Sequence, residues 1–161
     1  MRIAIHAVGR MKQGPERELV ARYLDRARLS GRPLGLTGFE VVELAESRAN
    51  NAPTRKSEER TALHDAIGED AVVVALDERG KLLTSPALAD TISRWRGEGH
   101  GDLAFVIGGA DGLDPMFLQT ADLTLSFSPL TWPHQLVRIM LAEQLYRATT
   151  ILSGHPYHRG D

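Results

Sequence analysis

The sequence predicts an α/β fold in which helices cover both faces of a mainly parallel sheet. Two short runs, residues 71–76 and 103–107, are apolar throughout, which is typical of parallel strands buried on both faces. Between them, Leu88, Ile92 and Trp95 recur at spacings of four and three, which indicates a helix with one buried face. Strand, helix and strand thus form a crossover unit, and this alternation continues along the chain.

The bulk composition is that of an ordinary globular protein. The 161 residues are 42% hydrophobic and 25% charged, and the chain has no repeat, linker or low-complexity segment. A chain of this length can bury a sizeable core. We therefore predict a single domain that spans residues 1–161.

Composition also bounds the sites and the location that this chain can have. Cysteine is absent, which excludes disulfides and thiolate metal sites, and we predict no metal. The longest apolar run is far shorter than the roughly 20 residues that cross a bilayer, and the first residues lack the features of a signal peptide. We therefore expect no membrane association and a cytoplasmic location. The formal charge of −2 requires that any RNA-binding surface be local.

The N-terminal half alternates strands and helices. Residues 2–8 predict a strand, and Pro15 is placed to open a helix at its first turn. Residues 30–38, which are rich in glycine, predict a connection before a second strand at residues 39–44. Residues 54–67 predict a charged helix whose N-terminal half is solvated.

The C-terminal half keeps the same alternation. Thr84 or Ser85 is expected to cap the helix before the strand at residues 103–107. The last helix is apolar on more than one face, and we expect Leu145 to point outward. A second copy in a two-fold dimer would cover the excess apolar surface. The remaining predicted elements are a short helix at 115–120, a strand at 123–127 and the last helix at 133–153.

Three loops follow strands of the predicted sheet, where α/β proteins bind their ligands. Residues 76–81 taken alone predict a polar turn. Residues 108–112 hold three glycines, which let a ligand approach the backbone. They match neither the dinucleotide fingerprint nor the phosphate-binding loop. Residues 127–134 are stiffened by prolines and could enclose an adenine, although Thr131 could also simply cap the last helix.

The C-terminal tail carries side chains that suit RNA. Tyr157 with the neighbouring His158 and Arg159 could stack on bases and hold phosphate. Two alternatives stay open, which are a frayed end and a metal-binding pair of histidines. Arg147 lies four residues after Glu143. This spacing predicts an ion pair and leaves Arg147 as a possible further contact.

Taken together, these motifs extend over nearly the whole chain and are densest from residue 130 to residue 146. They are Leu76-Asp77 with Gly80-Lys81, Ile107-Gly108-Gly109 with Gly112, Leu130-Thr131 with Pro133-His134, Leu136-Val137-Arg138, Glu143-Gln144-Leu145-Tyr146-Arg147-Ala148 and Pro156-Tyr157-His158-Arg159. In these segments the chain resembles the SPOUT-class methyltransferases that act on N3 of a pseudouridine in large-subunit ribosomal RNA.

This resemblance implies a C-terminal trefoil knot, which is an exception to the rule that chains avoid knots. It also implies a homodimer that acts on ribosomal RNA. Because the chain has little basic surface at a formal charge of −2, we expect it to rely on the assembled ribosome for affinity. S-adenosylmethionine is expected in the knot. The residues that the resemblance assigns to this cofactor are Leu76, Gly108, Phe127, Ser128, Pro129, Leu130, Thr131 and Trp132. Trp132 departs from the family pattern, in which a smaller apolar residue is expected.

The catalytic candidates are His134, Tyr157, His158 and Arg159. Methyl transfer to N3 requires removal of its proton, a role that fits a histidine. Arg159 fits contact with a phosphate or with developing charge. The residues alone do not separate these roles.

Three other functions are compatible with parts of the sequence. A non-catalytic RNA-binding or ribosome-assembly factor could use the same fold. A methyltransferase for another uridine, or for transfer RNA, would keep the same loops and differ in its tail. A nicotinamide-dependent or phosphate-ester enzyme is disfavoured because its glycine fingerprints are missing.

Overall fold

The computed structural model describes residues 1–159 and contains one sheet of five strands in the order β2-β1-β4-β3-β5. All neighbouring strands in this sheet are parallel. The strands are β1 (Arg2–Val8), β2 (Thr37–Leu44), β3 (Val72–Leu82), β4 (Asp102–Ile107) and β5 (Leu123–Ser126). The helices are α1 (Pro15–Gly31), α2 (Ala52–Ala66), α3 (Ser85–Gly97), α4 (Pro115–Thr120) and α5 (His134–Leu152), with a 3-10 turn at Arg32–Leu34. The predicted parallel α/β sheet is confirmed.

The two faces of the sheet bury different helices, because side chains alternate between the faces of a strand. Ile3 and Ile5 of β1 belong to a core cluster with residues of α1, α3 and α5. Val8 of β1 belongs to a second cluster with Leu63 of α2 and Phe117 of α4. Helices therefore cover both faces, as predicted.

The prediction of a simple polar turn at residues 76–81 is wrong, because β3 continues to Leu82. Leu125 of β5 pairs first with Leu76 and then with Lys81, so the residues between them form a bulge in the ladder. Gly80 permits this, since a Cβ there would lie 2.7 Å from backbone atoms of Thr124. The bulge holds Asp77 and Glu78 at the edge of the sheet beside β5.

Two predictions for the N-terminal half also need correction. The connection predicted at residues 30–38 is shorter, because α1 runs to Gly31 and β2 begins at Thr37. Ser30 extends the helix, where its hydroxyl donates a hydrogen bond to the Arg26 carbonyl at 2.9 Å. The first half of α2 is not fully solvated, because Glu59 is buried.

The last helix differs from the prediction at its start and on one face. Pro133, not Thr131, stands at the N-cap of α5, and the Thr131 hydroxyl instead donates to Glu78 Oε2 at 3.1 Å. Leu145 does not point outward, because it is buried in the core cluster beneath α5. Leu136 remains exposed on the helix.

No helix within residues 1–159 is long and apolar enough to cross a membrane. The trefoil knot and the single domain over 1–161 stay predictions, and the last two residues of that range lie outside the described part.

Candidate active site

A cavity of about 390 Å³ opens at the carboxyl ends of β4 and β5, beside the bulge of β3. Its volume lies in the range of small-molecule sites. The walls include seven of the eight predicted cofactor residues, with Pro129 as the exception, and one catalytic candidate. These are Leu76, Gly108, Phe127, Ser128, Leu130, Thr131 and Trp132, together with His134.

The glycine loop after β4 folds tightly back on itself at one wall of the cavity. The Gly112 amide donates to the Gly109 carbonyl at 2.9 Å, and Gly112 has a φ of 78°, a conformation that favours glycine. A Cβ on Gly108 would lie 2.8 Å from the backbone nitrogen of Leu113. Gly108 therefore allows the loop to pack against its own backbone. A ligand in the cavity would contact the loop in this packed form.

The segment between β5 and α5 is braced against the bulge of β3. The Ser126 hydroxyl lies 3.0 Å from the carbonyl oxygens of both Glu78 and Ser128. The Leu130 amide donates to Ser128 Oγ at 3.0 Å, and Thr131 reaches the Glu78 carboxylate. This wall of the cavity is thus tied to β3, which favours a preformed site.

The charged residues of the cavity are largely paired. Burial acts to raise the pKa of Asp77, but hydrogen bonds from the side chain and backbone of Arg79 hold it below the ordinary value. Arg55 donates to Asp111 at 2.7 Å, and this hydrogen bond lowers the pKa of the Asp111 carboxyl. Lys56 also borders the cavity and forms no ion pair among the described residues. Its ammonium group is available to an anionic part of a ligand.

The tail is docked on α5 and is not frayed at Tyr157 and His158. The Tyr157 hydroxyl donates to Glu143 Oε1 at 3.0 Å, and its ring centroid lies 4.6 Å from that of Tyr146. The Arg147 guanidinium lies 4.9 Å from the Tyr157 ring centroid and 3.2 Å from His158 Nδ1. These contacts define a tail cluster of Glu143, Arg147, Tyr157 and His158.

The chemistry of the tail cluster follows from its hydrogen bonds. Burial, together with the hydrogen bond to Glu143, raises the pKa of the Tyr157 phenol, so the phenol keeps its proton at neutral pH and acts as a donor. Arginine has only donors, so His158 Nδ1 accepts from Arg147 and the neutral ring carries its proton on Nε2. The predicted ion pair between Glu143 and Arg147 is confirmed.

The catalytic candidates fall into two groups within one chain. His134 borders the cavity, whereas Tyr157, His158 and Arg159 are not among its lining residues. The sequence missed the role of Glu143 as the centre of the tail cluster. The spacing of Glu143 and Arg147 was its only signal, and that spacing by itself indicates no more than an ion pair.

A second concavity, which we call the α1–α5 groove, adjoins the cavity. It has a volume of about 430 Å³ and is bordered by Tyr23, Leu82, Met140 and Glu143. Leu125 and Phe127 border both the groove and the cavity. The groove therefore connects the tail cluster with the wall of the cavity. Within residues 1–159, no group of three or more histidine or carboxylate side chains could hold a metal ion.

The chain matches a family model described as "Predicted SPOUT methyltransferase" over residues 1–158. It is 55% identical to the ribosomal RNA large subunit methyltransferase H of Rhizobium leguminosarum bv. trifolii, over 99% of both chains. It is 57% identical to the protein of the same name from Allorhizobium ampelinum, again over 99% of both chains. A solved structure of a probable methylase family protein from Haemophilus influenzae aligns with 99% of this chain and 70% of its own, at 13% identity and a TM-score of 0.51.

Proposed function

Because the chain belongs to the SPOUT methyltransferase family, we propose that it transfers a methyl group from S-adenosylmethionine to N3 of a pseudouridine in large-subunit ribosomal RNA. The observation that carries this proposal is the braced cavity at the carboxyl ends of β4 and β5, beside the bulge of β3. Full-length relatives named ribosomal RNA large subunit methyltransferases support the substrate class. We expect the substrate to be the assembled ribosome and the protein to be cytoplasmic.

The residues of the cavity fit S-adenosylmethionine. Leu76, Phe127 and Leu130 give apolar walls for the adenine, and the backbone of the braced segment offers hydrogen-bonding groups to its edge. Lys56 suits the carboxylate of the methionine part. Asp77 suits the cationic groups of the same ligand. When bound, this cofactor supplies an electrophilic methyl group on its sulfonium.

A second copy of the chain would bring the tail cluster to the cavity. In a two-fold dimer the same surface of each copy faces its mate, and the α1–α5 groove is an apolar surface available for this contact. Glu143 borders the groove and holds Tyr157, while Phe127 forms the wall shared with the cavity. The proposed site therefore combines the cavity of one copy with the tail of the other.

The chain's own residues then have distinct roles. His134 at the cavity accepts the N3 proton of the base, either directly or through a water. Tyr157 donates a hydrogen bond to Glu143 and remains protonated. Arg159 lies in the exposed tail and contacts an RNA phosphate or the charge that develops on the base. His158 Nε2–H offers a further donor to the base.

Mass spectrometry of ribosomal RNA nucleosides tests this function. A strain that lacks the gene should lose one methylated pseudouridine from its large-subunit RNA, and a plasmid copy should restore it. Loss of a methyl group from a different uridine or from transfer RNA would contradict the proposed target. An unchanged set of nucleosides in a strain with ribosome-assembly defects would favour the non-catalytic alternative.

A further inference from the structure

The indole of Trp132 is a large aromatic group at the mouth of the cavity. It borders the cavity, yet it is 38% exposed, whereas the other tryptophan, Trp95, is buried in the core. A partly exposed tryptophan beside a ligand site presents a flat apolar surface that water solvates poorly. The surface is therefore available to a planar group that enters the mouth.

The backbone around Trp132 is fixed on both sides. Thr131 donates to Glu78 at 3.1 Å, and the following residue is Pro133, whose φ is −57°. A segment held in this way loses little backbone conformational freedom when a ligand binds. The indole is thus carried on a stretch of backbone that is already ordered.

The cavity also has apolar walls that are less exposed than Trp132 and that suit the cofactor. Leu76, Ile107 and Val137 are apolar and less exposed than Trp132. The cofactor can therefore be enclosed without the indole. The more exposed ring of Trp132 is then available to the RNA that approaches the cavity.

We propose that Trp132 is a specificity residue whose indole stacks on an unpaired base of the RNA substrate at the cavity mouth. This inference rests on the proposed function and extends it by naming the contact that holds the RNA. Proteins recognise unpaired bases by stacking them on aromatic rings, and every base has such a face. The stacked base is either the target pseudouridine or its neighbour, and both would be held beside the methyl donor.

The test compares Trp132→Leu and Trp132→Phe with the wild-type protein. The leucine variant keeps an apolar side chain and removes the aromatic face, whereas the phenylalanine variant keeps a smaller face. We expect Trp132→Leu to raise the KM for ribosomes about tenfold, since stacking on one base is worth about that factor. Trp132→Phe should recover much of this loss, and the affinity for S-adenosylmethionine should change less than about threefold. Leu29→Ala is the control, because Leu29 is exposed near the end of α1 and does not border the cavity.

Three results would overturn the proposal. An unchanged KM in Trp132→Leu would show that the ring makes no contact with RNA. A large loss of S-adenosylmethionine affinity by calorimetry would assign the ring to the cofactor. A fall in molecular mass by light scattering would assign it to the contact between copies. Failure of the proposed function is distinguishable, because the wild-type protein would then neither bind S-adenosylmethionine nor methylate ribosomes.

Discussion

Among single residues, Gly108 shapes the cavity because it has no Cβ. A Cβ at this position would lie 2.8 Å from Leu113 N and 2.9 Å from the Gly112 carbonyl carbon, and backbone atoms cannot move aside cheaply. The loop that forms one wall would therefore have to open. Gly68 offers the opposite case, since no atom lies within 4 Å of its Cβ position.

We predict that Gly108→Ala lowers the free energy of unfolding by about 1–3 kcal/mol, which is the usual cost of an overpacked site. It should also weaken S-adenosylmethionine binding, because the loop is displaced. The matched variant Gly68→Ala should stay within about 0.5 kcal/mol of wild type. Denaturant unfolding and calorimetric titration measure the two effects. Wild-type affinity in a folded Gly108→Ala protein would move the cofactor away from this loop.

An ion pair between Arg138 of α5 and Glu43 of β2 ties the last helix to the sheet, and a hydrogen bond to Gly9 ties it to the loop after β1. Arg138 is buried and donates to the Gly9 carbonyl at 3.1 Å and to the Glu43 carboxylate. Glu43 also accepts from the Met11 amide at 2.8 Å. Burial acts to raise the pKa of Glu43, but the hydrogen bonds from Met11 and Arg138 lower it below the ordinary value. These contacts fix the start of α5 near the cavity.

We predict that Arg138→Met lowers the free energy of unfolding by about 3–5 kcal/mol, because it leaves a half-buried carboxylate without its partner. Since the pKa of Glu43 is lowered in the folded state, its contribution to stability is present above the unfolded value and is lost as the pH falls through the folded value. The variant should therefore lose less stability than wild type when the pH is lowered from neutral through the range in which glutamates take up protons.

Urea unfolding at several pH values measures both parts of this prediction. Arg94→Met removes an exposed ion pair with Glu98 and is the control, with an expected change below about 1 kcal/mol. Equal effects of the two substitutions would mean that the Arg138 contacts contribute little.

At the scale of elements, the strands and helices could be predicted because each carries its own periodic pattern. The extension of β3 could not, because residues 77–80 are polar and only the backbone of β5 explains their strand conformation. The burial of Glu59 could not be predicted either, because the glycine loop lies against its carboxylate at Gly109. Local patterns identify elements, whereas their ends and bulges depend on contacts distant in sequence.

The candidate site was predictable in its loops and less so in its tail. Glycine and proline mark loops directly in a sequence, and here they stand at residues 108–112 and at residues 129 and 133. The tail has no periodic pattern, and its packing on α5 depends on the contacts of Tyr157 with Glu143 and Tyr146. Contacts of this kind cannot be predicted from the sequence, because only the fold brings the two side chains together.

Removal of the tail should abolish methyl transfer without abolishing cofactor binding. We predict that truncation after Ser153 leaves the affinity for S-adenosylmethionine nearly intact and abolishes methyl transfer to ribosomes. The physical reason is that the cavity is formed without the tail, whereas Tyr157 and Arg159 are the tail residues that we expect to contact RNA. Arg159→Ala should reduce transfer in the same direction but less strongly. Transfer of labelled methyl groups, run beside a cofactor titration, measures both.

Full transfer activity in the truncated protein would contradict this division. His134 and the loops of the cavity would then carry the catalytic roles without the tail.

At the scale of the whole molecule, the α1–α5 groove is the surface that we expect a second copy to cover. Leu82 borders the groove and is 63% exposed. We predict that Leu82→Asp weakens the dimer at least tenfold, because a desolvated carboxylate is costly, while the monomer stays folded. Leu29→Asp, at a position that is 70% exposed outside the groove, should leave the dimer intact. Light scattering over a range of concentrations compares the two, and equal masses would place the contact elsewhere.

Mixing two inactive variants tests whether the cavity of one copy works with the tail of the other. Ala110→Trp fills the cavity from an exposed position on its wall, and truncation after Ser153 removes the tail. Each variant alone should be inactive in methyl transfer to ribosomes. Co-expressed in equal amounts, they should recover about one quarter of wild-type activity, because about half of the dimers are mixed and each has one complete site. A mixture as inactive as its components would contradict the shared site.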